Sequence, residues 1–296
     1  MLSFEQFTKE LISTLQSKIT YFGGEVTFSV EKENNDVLTP KIGIKRPESN
    51  VIPKINLIDL YSLFYDVNYT IDEMASNILA SYEKRMSAEK HFDSDRYFDF
   101  NEMKSSITMR LVNFEKNVNQ LRNRPFIPYL NLAIVFVIHI HESDENDLIQ
   151  ITNDLMAIWH TDTDTLYRLA KENTPCIYQP CFFNFVDRFP SFTTPDSSLD
   201  MYVLTNKENY YGACTLLYEG LLKKVAQEIH TKNLVIIPSS VHECILLPSE
   251  FSDKESLLQL TELIMYVNST NVADYEYLSD YPYIYDAHKD SLNVIS

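Results

Sequence analysis

"VIIPSSVHECILLP", Val235–Pro248, sets two apolar runs around a short link that holds Ser239, Ser240 and the neighbours His242 and Glu243. Short runs rich in Val, Ile and Leu and bounded by proline read as strands. A parallel crossover needs a dozen or more residues, far more than this link offers, so the two strands pair antiparallel as a hairpin. The same arrangement precedes it. Strands "MYVLTN" (201–206) and "YYGAC" (210–214) lead into a predicted helix Thr215–Ile229, and the quoted pair leads into another over Glu255–Val267. Strands "YPYIYD" (281–286) and "LNVI" (292–295) close the chain. Short strand-to-strand connections predict an α+β fold with a mainly antiparallel sheet covered by helices, not a doubly wound parallel sheet.

Further out, "LNLAIVFVIHI" (130–140) is continuous and β-rich, as in a strand buried on both faces, and "HESDEND" turns it back into "LIQIT". Helices are expected over Asn153–His160 and Asp164–Glu172, the second ended by Pro175. Before residue 125 the pattern is a helix-hairpin-helix region. Ser3 and Gln6 form a capping box ahead of Phe4, Phe7, Leu11, Leu15 and Ile19 on one face, and a hairpin spans about Glu25–Ile44. Helices follow over Leu57–Tyr65, Ile71–Arg85 behind the box Thr70/Glu73, and Phe98–Asn113. The domains are therefore placed at 1–125 and 126–296, with one compact unit as the alternative. "RFPSFTTPDSSL" (188–199) is the strongest linker candidate.

Composition narrows the function classes. With 45% hydrophobic residues the chain can bury a sizeable core, and with five glycines it offers no Gly-rich phosphate loop. Cys176, Cys181, Cys214 and Cys244 are too scattered for a disulfide framework, so reduced thiols and a cytoplasmic location are expected. No apolar run approaches the ~20 residues of a membrane span. A net charge of -17 opposes direct binding to nucleic acid or an anionic membrane.

Four stretches carry a resemblance: "MAIWHTDTDTLYRLAKENTP", "MYVLTNKENYYGACTLLY", "IIPSSVHECILLP" and "LSDYPYIYD". In that order and spacing the chain resembles an uncharacterised bacterial family, the domain of unknown function 5688, from its first helix to its last strand. The "W…LYRLAKEN" segment also resembles a second uncharacterised bacterial family. Neither resemblance implies an activity, a substrate or a cofactor.

The candidate chemistry comes from individual residues. His242 and Glu243 as strand neighbours point to opposite faces, and Leu246 stands where an HExxH zinc site needs its second histidine. Ser239 or Ser240 beside His242 is the remaining catalytic candidate, but it lacks the glycines of a nucleophile elbow; the plainer reading is a turn. His139 and His141 share a strand face, as two metal ligands would, yet no third ligand is placed, so neither metal nor cofactor is expected. Asp162 and Asp164 form a D-x-D that helix capping explains. Tyr281, Tyr283 and Tyr285 alternate along a predicted strand; the plainer reading is an ordinary half-buried strand face, and the functional one is an aromatic stripe of the kind that binds partners.

These observations favour a non-catalytic cytoplasmic protein- or peptide-interaction module. The alternatives are an acidic mimic of nucleic acid that inhibits a nucleic-acid-binding protein, and a hydrolase or transferase using His242. The oligomeric state is not legible.

Overall fold

The computed structural model describes residues 2–47, 52–88, 94–140, 148–188, 201–248 and 254–295. It is an α+β fold of antiparallel sheets and helices. The chain forms two compact units. One comprises Met1–Glu33 and Val37–Asp95; the other comprises Arg96–His139 and Leu148–Ser296, with Asn34–Asp36.

In the first unit, α1 (Phe4–Ile19) starts at the Ser3/Gln6 capping box, with both reciprocal bonds made. Phe7, Leu11, Leu15 and Ile19 recur every four residues and are fully buried, each such burial worth roughly 1.5–3 kcal/mol. Strands β1 (Glu25–Lys32) and β2 (Leu38–Lys45) pair antiparallel from Glu25↔Lys45 to Lys32↔Leu38, and β3 (Lys54–Asn56) joins the far side of β2. Helix α2 (Leu57–Asp66) is capped by the Asn56 side chain, and α3 (Ile71–Ala88) by Thr70 with Glu73. The helices cover one end of one sheet face, burying Ile42 and Ile44 against Phe7, Leu60 and Met74.

The second unit holds two sheets. Strand β4 (Ile107–Asn113) lies beside β6 (Leu132–His139), whose other edge carries β5 (Phe126–Tyr129) on its first half and β7 (Leu148–Gln150) on its second. The larger sheet has the order β13-β12-β10-β11-β9-β8, antiparallel throughout. Its strands are β8 (Pro180–Asn184), β9 (Tyr202–Asn206), β10 (Asn233–Ile237), β11 (Cys244–Pro248), β12 (Tyr283–Asp286) and β13 (Ser291–Val294). Its helices are α4 (Phe100–Met103), α5 (Val118–Leu121), α6 (Asn153–Ile158), α7 (Thr163–Ile177), α8 (Phe185–Arg188), α9 (Leu221–Glu228) and α10 (Lys254–Asn271). One core joins both sheets, from Met109 and Phe136 to Ile236 and Tyr283.

Three expectations are corrected. The stretch Phe98–Asn113 is not one helix: after α4 it becomes β4, buried at every residue and paired with β6 along its whole length. "YYGAC" is not a strand. Tyr211 turns left-handed (φ 50), a 3-10 helix runs over Gly212–Leu217, and Gly220 (φ 70) separates it from α9, which splits the expected helix. Helix α7 passes through Pro175 to Ile177 instead of ending there. Thr174, fully buried, donates its hydroxyl to the Ala170 carbonyl, and its own carbonyl accepts from the Tyr178 amide, so the last turn keeps partners despite the missing proline N–H. The linker candidate beyond Arg188 lies outside the described residues. No described helix is long and apolar enough to cross a membrane.

Candidate functional site

The β10–β11 hairpin closes at Ile237↔Ile245, leaving Pro238–Glu243 as a loop. His242 and Glu243 therefore sit in the loop, not on a strand. Its backbone is held on two sides: Ser239 accepts from the Leu278 amide (2.9 Å), Val241 donates to Glu276 (2.8 Å), and Val241 accepts from Ala213 (3.1 Å). Ser240, buried, accepts at Oγ from the His242 amide (3.0 Å).

The His242 ring is engaged at both nitrogens. Nδ1 accepts from the Tyr211 amide at 3.2 Å, and Nε2 lies 3.4 Å from Oε1 of Glu276. Its carbonyl accepts from the Thr205 hydroxyl (2.8 Å). Burial pushes the neighbouring Glu243 carboxyl above its usual range, with His242 opposing and Glu276 adding to the shift. Among the described residues neither Ser239 nor Ser240 bonds the imidazole, so the serine–histidine arrangement is not assembled.

The turn opposite the loop has a steric cause. A Cβ on Gly212 would overlap the His242 carbonyl and the Thr205 hydroxyl, so only glycine lets the two segments meet. The Tyr210 and Tyr211 rings stand 5.8 and 5.5 Å from the imidazole. Behind them lies Arg110, its guanidinium carbon 3.6 Å from the Tyr211 ring centre and 4.8 Å from that of Tyr210. Arg110 also acts on Tyr178, whose hydroxyl is 2.9 Å from Nδ1 of His139. His242 and His139 thus belong to one aromatic and cationic cluster, linked through Tyr211, Arg110 and Tyr178. Of these residues only the two histidines stood out in the sequence. Arg110 was concealed by the helical reading of its strand, although a lone arginine in "ITMRLVN" is the signal that marks it.

His141 lies outside the described residues. Among those described, no three His, Cys, Asp or Glu side chains gather as metal ligands. Asp162 caps α7 through the Thr165 amide (2.8 Å). All four cysteines are free, and burial pushes the Cys214 thiol up to about 11.

Alternate residues of β12 face the core, so Tyr283 (0% exposed) and Tyr285 (2%) are buried, whereas Tyr281 (44%) precedes the strand and presents its ring. The Tyr283 hydroxyl donates to Oδ1 of Asn131 (2.6 Å), and that of Tyr285 to Asp290 (2.6 Å). The apolar surface lies elsewhere. In the first unit, Phe28, Val30 and Leu38 are 54, 55 and 64% exposed on the sheet face whose other end the helices cover. Next to the covered end, a cleft of about 440 Å³ runs between Ile42, Ile55, Leu63 and Tyr82.

No curated protein and no solved structure matches the chain. A family model matches residues 4–287, nearly the full length, so the chain belongs to the family of unknown function DUF5688.

Proposed function

We propose that this chain is a non-catalytic protein- or peptide-binding module whose contact surface is the uncovered end of the β1–β2 hairpin. The observation that carries the reading is the exposure of Phe28, Val30 and Leu38 by more than half on one sheet face. Large apolar side chains grouped on one face mark a partner site more often than scattered ones do. Strand β1 is also an edge strand among the described residues, open to pairing by an extended segment. The chain's charge of -17 favours a partner that is apolar with basic flanks. The Tyr211 amide occupies the Nδ1 lone pair of His242 and Nε2 faces Glu276, so neither nitrogen is placed to take a proton from a bound substrate, which supports a binding role over hydrolysis. The unpaired cysteines suit the reducing cytoplasm, where the module would act.

The test is photo-crosslinking in the native host from a photoreactive residue replacing Phe28. A discrete protein adduct is expected, and Val30→Ser with Leu38→Ser should abolish it without lowering the melting temperature. No adduct from position 28, or one indifferent to those substitutions, overturns the reading.

A further inference from the structure

Arg110 lies in the middle of β4, a strand buried at every residue, and is itself only 6% exposed. Its Nε and Nη2 atoms are buried and have no hydrogen-bond partner among the described residues, and the same holds for Nε of Arg124. No ion pair among the described residues involves either side chain. A buried charge without a counter-charge is among the least favourable arrangements a fold can contain. Arg124, half-buried, adds a second charge of the same sign, close enough for Arg110 to act on it.

The free atoms are the informative ones. Nε and Nη2 lie on one edge of the guanidinium, the edge that grips an oxyanion through two parallel hydrogen bonds. Tyr210 and Tyr211 cover the face of Arg110, and its Nε/Nη2 edge is buried without a partner among the described residues. Arg124 follows α5 and is half-buried. We propose that Arg110 and Arg124 form a binding site for a phosphate group, either inorganic phosphate or the terminal group of a small phosphomonoester. The charge count selects phosphate, because a dianion neutralises both arginines where a carboxylate neutralises one. Burial and the neighbouring Arg110 charge already lower Arg124 to about 10, the strain that a bound anion would relieve. The site lies wholly in the second unit and does not depend on the hairpin surface.

The test is thermal unfolding and calorimetry of the full chain with inorganic phosphate, phenyl phosphate and acetate, against chloride at equal ionic strength. A saturable rise in melting temperature is expected with phosphate or phenyl phosphate beyond the chloride control. Phenyl phosphate binding more than tenfold tighter assigns the site to a phosphomonoester, and equal or weaker binding assigns it to the free ion. Arg110→Met should abolish the response while melting no lower than wild type without ligand, because it removes the unpaired charge. Arg124→Met should weaken binding by tenfold or more, and so should Arg110→Lys, which keeps the charge but loses the fork. No saturable response to either phosphate, an equal response to acetate, or a response retained in Arg110→Met overturns the proposal.

Discussion

The Tyr211 amide donates to Nδ1 of His242 at 3.2 Å, which fixes the chemistry of that ring. A backbone amide can only donate, so Nδ1 carries the lone pair and the proton of the neutral ring sits on Nε2, towards Glu276. The imidazole thereby ties the Tyr211 turn, the hairpin loop and the Glu276 segment together. His242→Ala should destabilise the fold by about 1–3 kcal/mol, as expected for partners left unpaired in a partly buried site. Urea unfolding reads this directly. An unchanged midpoint would mean that the ring holds nothing.

Gly212 and Gly220 separate steric from conformational need. A Cβ at Gly212 would fall 2.8 Å from the Asn206 amide nitrogen and overlap two further atoms, whereas at Gly220 it would meet nothing and face only a positive φ. Gly212→Ala should therefore cost ~3 kcal/mol or more, since the backbone must move. Gly220→Ala should cost only about 1–2 kcal/mol, the left-handed penalty for one residue. Equal losses in melting temperature would contradict the close packing of Gly212 on the His242 carbonyl.

Glu243 gives the hairpin loop a pH dependence. Burial raises its carboxyl above the unfolded value, so between the two values the folded state holds the extra proton. Stability contributed at this site is highest below the ordinary carboxylate range, falls as pH rises through the window, and stays reduced above it. Glu243→Gln should match wild type at the acidic end and exceed it at neutral pH. Urea midpoints across that range would show the difference opening with rising pH; a constant offset would place the effect in packing, not charge.

The sequence was informative where a segment's neighbours in the fold are also its neighbours in the chain. The Glu25–Ile44 hairpin is observed within a residue of its expected ends, because apolar alternation and the polar turn are local signals. The Ser3/Gln6 and Thr70/Glu73 boxes and the Asp162 cap are local in the same way. Strand β4 was not legible, since Ile107–Asn113 becomes a strand only by pairing with β6, some 25 residues further on, and tertiary context overrides local pattern. The site divides likewise. The hairpin loop carrying His242 could be read locally. Tyr211, Glu276 and Arg110, which give that histidine its surroundings, come from three other segments, and their approach depends on the absence of a side chain at Gly212.

The tyrosines at 281, 283 and 285 distinguish a core from a contact surface. Tyr283 is fully buried with its hydroxyl on Asn131, and Tyr281 is nearly half exposed. Tyr283→Ala should cost ~3–5 kcal/mol, the range for deleting a buried aromatic ring. Tyr283→Phe should cost about 1–2 kcal/mol, because it strands the Asn131 carbonyl oxygen. Tyr281→Ala should stay within ~0.5 kcal/mol, as surface changes do. If Tyr281→Ala lowers the melting temperature as far as Tyr283→Ala does, the 281 ring is packed in the fold; if it leaves stability intact, that ring remains free to meet a partner.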